Sequence, residues 1–143
     1  SNSDVVSVAS LGAMTMKIGD AADAAGLSVK TVRYYADIGL VAPQRAANGY
    51  RAYGDADVKR LSFIGRARAF GFSVAECRRL LTLYDDDSRA SADVKAIAEI
   101  HLAALDAKMA ELATLRAELA SIASACKGDA GPRCPIIDHL AGA

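Results

Sequence analysis

Two of the three cysteines, Cys126 and Cys134, are separated by seven residues that include Gly, Asp and Pro. These residue types favour tight turns, so the intervening loop can fold back and bring both sulfur atoms to one point. A thiol pair at this spacing can form a disulfide, bind a metal ion, or remain as two unrelated thiols. The choice among them depends on the elements that position the loop.

The composition predicts a mainly helical protein. Hydrophobic residues make up 52% of the 143 residues, but Ala is abundant, aromatic residues reach only 6% and Trp is absent. No apolar run approaches the length of a membrane span, and residues 1–15 lack the features of a signal peptide. We therefore expect a cytoplasmic protein without membrane contact, in which residues 1–15 are a disordered leader or tag. In a reducing cytoplasm, cysteines are more often reactive or metal-binding than structural disulfides.

The formal net charge is zero, but the charge is unevenly distributed. Residues 16–80 contain eleven Lys/Arg and six Asp/Glu, whereas residues 81–143 contain six and ten. A basic first half favours an anionic partner, of which nucleic acid is the commonest.

The start of the basic half has the pattern of a helix-turn-helix. A short helix over residues 17–25 ends at Gly26, and Ser28 is placed to cap a second helix. Apolar residues share one face of that second helix, whereas Lys30 and Arg33 project elsewhere. Next, Asn48-Gly49 between two short extended segments predicts a β-hairpin with a type I′ turn, in which both central residues need a positive φ.

Basic and aromatic side chains collected on one helix and one hairpin indicate a DNA interface. Phosphate contacts supply much of the affinity of DNA-binding proteins and fix their register. We expect the second helix to contact the major groove or its phosphates and the hairpin to contact the backbone. The predicted contact residues are Lys30, Arg33, Tyr35, Arg45, Tyr50, Arg51 and Tyr53. For Tyr35, packing in the core is an equally good interpretation.

Further helices complete the predicted organisation. An apolar stripe from Val58 to Ala67 predicts a third helix, and Ser73 with Glu76 has the spacing of a capping box that begins a fourth. After a polar break, a periodic segment predicts a helix over residues 91–124 with an apolar seam of coiled-coil spacing. That seam contains Leu102, Leu105, Met109, Leu112 and Leu119. We expect it to pair with a second subunit, the alternative being that the helix folds back on its own domain.

These elements, in this order, resemble the MerR family of transcription regulators. The strings that carry the resemblance are TVRYY at 31–35, GL at 39–40, NGYRAY at 48–53 and GFS at 71–73. The resemblance implies a winged helix-turn-helix DNA-binding domain over 16–84, a coiled-coil dimerisation helix over 91–124, and a metal-binding loop and tail over 125–143. It also implies a homodimer that binds double-stranded promoter DNA with an over-long spacer and acts on RNA polymerase indirectly, through the promoter.

Within that family, SADVK at 91–95 and the segment 125–137 resemble the copper-efflux regulators of the CueR type. Family members that sense divalent ions usually carry a third cysteine where this chain has Ser91. The resemblance therefore favours a monovalent ion. It also leaves no residues for the separate ligand-binding domain of drug-sensing members, and the four-cysteine cluster of the superoxide sensor is absent.

The chemistry of the donor set agrees with that implication. Two thiolates suffice for a soft monovalent ion, whereas Zn²⁺ normally takes four ligands or three plus water. We expect Cys126 and Cys134 to bind Cu(I), or Ag(I) or Au(I), with one ion per loop. The complex then has one net negative charge, which Ser91 at a helix N-terminus and Lys95, from the partner subunit, are expected to offset.

Several alternatives remain at this stage. The thiol pair can act as a redox-sensing disulfide, and His101 or His139 can add a nitrogen ligand for a divalent ion. Cys77 has cationic neighbours that could lower its pKa, although a buried helix residue is the simpler interpretation. We do not expect an enzyme, because the sequence has no phosphate-binding loop and no nucleophile motif.

Overall fold

The computed structural model describes residues 15–142 and divides into two compact units, with the division between Val94 and Lys95. The first unit contains α1 (Ile18–Ala25), α2 (Val29–Asp37), β1 (Gln44–Arg45), β2 (Arg51–Ala52), α3 (Asp55–Ala69) and α4 (Val74–Tyr84). Helix α5 (Ser91–Ala125) begins in the first unit and continues through the second, which also contains α6 (Pro135–Leu140). Residues 15–85 are called the head below. The prediction of a leader over 1–15 falls, except for Thr15, outside the described residues.

The predicted helix-turn-helix is formed by α1 and α2. Gly26 ends α1 with a left-handed backbone, φ 71°, which glycine adopts without steric cost. The side chain of Ser28 then accepts a hydrogen bond from the Thr31 backbone N–H at 3.1 Å and so caps α2, as predicted. Helix α1 packs against both α2 and α3, and α3 packs against α4. Val32, Leu61 and Ile64 are fully buried in this core.

The hairpin is present, but its turn differs from the predicted type I′ turn. Gln44 pairs with Ala52 and Arg45 with Arg51 in an antiparallel register, and Ala46 N–H donates to the Tyr50 carbonyl at 2.8 Å. Gly49 has φ 85°, whereas none of the described non-glycine residues, Asn48 included, has a positive φ. The loop therefore contains three residues, with only the glycine left-handed. Asn48 instead accepts a hydrogen bond from Tyr50 N–H through its side chain.

The later helices begin and end near the predicted residues. Asp57 accepts a hydrogen bond from Gly54 N–H at the start of α3. Ser73 and Glu76 form the predicted capping box of α4, with reciprocal bonds of 2.8 and 3.1 Å. Helix α5 has 35 residues, so it is roughly 50 Å long. Its predicted seam is exposed in the single chain from Leu102 to Leu119. No helix among residues 15–142 is long and apolar enough to cross a membrane.

Candidate DNA interface and metal-binding loop

A cleft of about 670 Å³ lies in the head between α2, the hairpin and the segment that precedes α1. Four basic side chains line it, and Asp37 is the acidic side chain among its lining residues. The basic ones are Lys17, Arg33, Arg45 and Arg51. A concave basic surface formed by one helix and one hairpin suits a phosphate backbone. The structure thus brings together three of the predicted contacts, Arg33, Arg45 and Arg51, with Tyr50 beside them.

Arg51 also holds the hairpin against α2. Its guanidinium donates to Asp37 Oδ1 at 2.8 Å, and Asp37 is the last residue of α2. This hydrogen bond is the main reason why the pKa of Arg51 is raised above its usual value. Arg45 lies directly opposite Arg51 in the register and donates to the Gly49 carbonyl at 2.8 Å. Asp37 therefore offsets the repulsion between two cations on one cross-strand pair.

Two of the predicted DNA contacts are wrong as surface contacts. The side chain of Tyr35 is only 6% exposed, because it lies three residues after Val32 on the buried face of α2. Tyr53 is 0% exposed and its backbone forms two hydrogen bonds with Met16, at 2.7 and 2.8 Å. Both side chains pack in the core. The hydroxyl of Tyr53 has no hydrogen-bond partner within residues 15–142, although it lies near enough to Arg51 to help raise the pKa of that residue.

Other predicted contacts remain at the surface. Lys30 and Tyr50 are exposed, and Lys30 lies on α2 outside the cleft lining. Tyr34 is also exposed, and its ring lies 5.8 Å from that of Tyr35. Lys17 also lines the cleft and was not among the predicted contacts. The only signal for it is a lysine directly before the first helix.

The C-terminal end of α2 is held by two arginines that are distant in the sequence and were not predicted from it. Arg78 donates to the Ile38 carbonyl at 2.7 Å. Arg60 donates through Nε to the Leu40 carbonyl at 2.8 Å and through Nη1 to both carboxylate oxygens of Asp85, at 2.7 and 2.9 Å. These contacts fix the orientation of α2 relative to α3 and α4. Pairs separated by 20 to 40 residues leave no local pattern in the sequence.

The segment from Cys126 to Cys134, called the thiol loop below, follows directly from the end of α5. Cys126 N–H donates to the Ala123 carbonyl at 3.1 Å, and Cys134 precedes Pro135, the first residue of α6. Gly128 has φ 67°, and the Asp129 side chain accepts a hydrogen bond from Gly131 N–H at 2.9 Å. These turns shape a cleft of about 370 Å³ within the second unit. Both cysteines are half-buried free thiols.

The donor set fits a soft ion of low coordination number. Among residues 15–142 of a single chain, no group of three or more His, Cys, Asp or Glu side chains is gathered closely enough to hold a metal ion. His101 and His139 are therefore not assembled with the two cysteines in one chain. Two thiolates are a poor set for Zn²⁺, which normally takes four ligands, but a sufficient one for a monovalent ion with linear sulfur ligation.

The remaining predicted site residues lie on α5 and α4. Ser91 and Lys95 are both exposed and stand one turn apart at the start of α5. Cys77 on α4 is 0% exposed, and this burial is the largest cause of its raised pKa, with Arg68 opposing it and Glu76 adding to it. The idea that cationic neighbours activate Cys77 is therefore wrong. It is a buried core thiol.

Comparison with known proteins identifies the family. A family model described as MerR HTH family regulatory protein matches residues 16–83, and one described as MerR, DNA binding matches residues 58–122. The HTH-type transcriptional regulator HmrR of Rhizobium leguminosarum bv. viciae is 51% identical over 125 residues, which cover 87% of this chain and 97% of HmrR. The HTH-type transcriptional regulator CueR of Salmonella typhimurium is 40% identical over 128 residues, with coverages of 89% and 93%.

A solved structure agrees with this assignment. The transcription regulator PbrR691 from Ralstonia metallidurans CH34, in complex with lead(II), superposes with a TM-score of 0.75 at 34% identity. The match covers 87% of this chain and 98% of PbrR691. The resemblance predicted from the sequence strings is confirmed. The chain therefore belongs to the MerR family of helix-turn-helix transcription regulators.

Proposed function

We propose that this protein is a metal-responsive transcription activator that senses Cu(I), or Ag(I) or Au(I), through Cys126 and Cys134. The observation that carries this proposal is the pair of free, half-buried thiols on one turn-rich loop, with no third ligand gathered beside them in the described chain. A related regulator of similar fold is known in complex with lead(II), which supports metal sensing in general. The preference for a monovalent ion rests on the donor set of this chain.

The sensing site extends to residues of a second subunit in this proposal. Ser91 stands at the beginning of α5, where the helix N-terminus is partly positive, and Lys95 follows one turn later. Both can offset the negative charge of a monovalent ion bound by two thiolates. A neutral serine at position 91 also withholds the third thiolate that a divalent ion would use.

Homodimerisation would bring the two sensing loops and the two heads together. The exposed apolar seam of α5, from Leu102 to Leu119, is the surface that we assign to a coiled coil with the partner helix. Two heads related by two-fold symmetry then bind a two-fold symmetric promoter. The basic cleft with Arg33, Arg45 and Arg51 contacts the phosphate backbone, and Lys30 contacts the major groove or its phosphates.

Activation follows from a difference in affinity between two conformations. Without metal, the dimer holds a promoter with an over-long spacer in a shape that RNA polymerase cannot use. The ion shifts the population only if it binds the activating conformation more tightly than the other. The bound dimer then distorts the DNA, so that polymerase engages both promoter elements. Part of the sequence preference therefore comes from DNA deformation rather than from base contacts. The protein would act in the cytoplasm, and its expected targets are genes for metal export or detoxification.

Anaerobic metal titration combined with transcription in vitro tests this function. We expect Cys126→Ser and Cys134→Ser each to abolish the metal-dependent rise in transcript, and Cys77→Ala, which removes a thiol outside the loop, to retain it. Ser91→Cys should broaden the response towards divalent ions. Metal-dependent transcription that survives both loop substitutions would refute the thiol site. Tight stoichiometric binding of Zn²⁺ by the unaltered protein would instead indicate a divalent sensor of the same family.

A redox sensor is the second candidate, because two free thiols separated by seven residues can close into a disulfide. In that case transcription would follow an added oxidant in the presence of a metal chelator. It would also be reversed by a reducing agent, without added metal. Under the metal-sensing proposal, chelation abolishes activation whatever the redox state.

A further inference from the structure

Each cysteine of the thiol loop has a cationic residue as its neighbour in the sequence. Lys127 directly follows Cys126, and Arg133 directly precedes Cys134. Both are exposed, and both line, with Asp129, a cleft of about 370 Å³ beside the loop, whose lining does not include the two cysteines. The loop residues between the cysteines therefore have one net positive charge, Asp129 being their single acid.

Neither cation forms an ion pair with an acidic side chain in the described part of the chain. The ion pairs Arg51–Asp37 and Arg60–Asp85 lie in the first unit, and neither involves Lys127 or Arg133. Asp129 lines the same cleft and accepts a hydrogen bond from Gly131 N–H, but it keeps its negative charge and offsets one of the two cations. One net positive charge of the loop therefore acts on whatever charge develops on the two sulfur atoms.

That charge depends on the valence of the bound ion. Two thiolates with a monovalent ion form a complex of net charge −1, whereas two thiolates with a divalent ion form a neutral complex. The two complexes differ by one unit of charge regardless of whether the thiols were protonated before binding. A positive potential at the sulfur atoms therefore raises the affinity for a monovalent ion relative to that for a divalent ion.

We propose that Lys127 and Arg133 are specificity-determining residues that favour monovalent over divalent ions at the Cys126–Cys134 site. This inference rests on the proposed metal-sensing function and adds a second source of positive charge, from within the loop itself. Ser91 withholds a third ligand and, with Lys95, offsets charge from the partner subunit, whereas Lys127 and Arg133 act through charge alone and from the same chain as the thiols.

The size of the effect follows from distance and screening. A side-chain charge on a residue adjacent to a cysteine lies roughly 6–10 Å from its sulfur, which is close to one Debye length at physiological ionic strength. Two such charges in a largely aqueous setting, screened over that distance, change the ratio of the monovalent to the divalent binding constant by about 1.5- to 3-fold.

Paired competition titrations with Ag(I) and Hg(II) test the inference on the full-length protein. Both ions accept linear ligation by two thiolates, so the comparison isolates charge from coordination number. Each titration is run anaerobically against a small-molecule thiol buffer, and the ratio of the two binding constants is the measured quantity. The test variant is Lys127→Gln with Arg133→Gln, and the matched control is Lys127→Arg with Arg133→Lys, which retains both charges.

We expect the ratio to fall about 1.5- to 3-fold in the neutral variant and to remain at the wild-type value in the charge-retaining control. The difference should nearly vanish at 1 M salt, where the Debye length is about 3 Å. An unchanged or increased ratio in the neutral variant overturns the inference and leaves the proposed function intact. If wild-type Ag(I) binding is absent, or insensitive to Cys126→Ser, the proposed function fails and this inference fails with it.

Discussion

Arg60 joins three parts of the head, and replacing it with Met should destabilise the head substantially. Its Nε donates to the Leu40 carbonyl just beyond α2, and its Nη1 donates to both oxygens of Asp85, at the end of α4. Methionine preserves most of the aliphatic packing of the arginine stem but removes every donor. Arg60→Met therefore removes the contacts while filling a similar volume.

The expected loss of stability comes mainly from the backbone contact. A hydrogen bond from a charged group to a partly buried carbonyl is worth about 1.5–3 kcal/mol. The ion pair with Asp85 is partly exposed, with side-chain exposures of 26% and 52%, so it contributes only about 0–1 kcal/mol after solvent screening. Arg60→Met should thus lower the free energy of unfolding by about 2–3 kcal/mol.

Urea unfolding at one fixed protein concentration measures this loss and separates its two parts. Asp85→Asn removes only the ion pair and should cost at most about 1 kcal/mol. Lys59→Met, at the exposed residue before Arg60, is the matched control and should be within about 0.5 kcal/mol of the wild type. If Arg60→Met costs no more than the Lys59 control, or no more than Asp85→Asn, the structural role assigned to the Leu40 contact is refuted.

Three further predictions concern single residues of the head. Tyr53→Phe removes a buried hydroxyl that has no partner in the described chain, so unfolding free energy in urea should be unchanged or up to about 1 kcal/mol higher. The DNA affinity of this variant should not change, and a tenfold loss of affinity would indicate that Tyr53 contacts DNA. Asp37→Asn releases Arg51, so fluorescence anisotropy should show tighter DNA binding with a steeper salt dependence; an unchanged salt slope contradicts this role. Burial raises the pKa of Cys77, so its folded state favours the neutral thiol, and stability should fall as pH rises above about 8.5. Cys77→Ala should lack that component in urea unfolding between pH 7 and pH 10, and identical pH profiles would contradict it.

Local chemistry made the helices and the family predictable from the sequence. Gly26, Ser28 and the Ser73–Glu76 capping box each act within a few residues, so their structural role can be inferred from spacing alone. The hairpin was predictable for the same reason, but its turn type was not. Asn-Gly fits both a two-residue turn and a three-residue loop, and the backbone hydrogen bonds that select the second lie in the flanking strands.

The candidate DNA interface was only partly predictable, because tyrosine suits both a core and a surface. Tyr35 follows Val32 by three residues, which places it on the buried face of α2, whereas Tyr34 next to it is exposed. Tyr53 is buried where its strand meets Met16, a pairing between residues far apart in the chain. Contacts between an arginine and a residue 20 or more positions away likewise could not be predicted from local sequence patterns.

The distribution of these contacts along α2 bears on how a metal signal can reach DNA. Three arginines hold its C-terminal end: Arg51 contacts Asp37, Arg78 contacts the Ile38 carbonyl, and Arg60 contacts the Leu40 carbonyl. Positive charge is favourable at a helix C-terminus, where unpaired carbonyls face outward. The arginines come from β2, α4 and α3, so three other elements of the head are fastened to that end.

The N-terminal half of α2, by contrast, presents Lys30 and Arg33 at the surface. Because α2 is fixed to three elements around it, a change confined to α2 would have to break several charge-assisted hydrogen bonds at once. Moving the whole head would break none of them. We therefore expect metal binding to displace the head as one body and so to change the distance or angle between the two α2 helices of a dimer. Under the proposed function, such a displacement would let the protein act through the shape of its promoter while the contacts within each head stay intact.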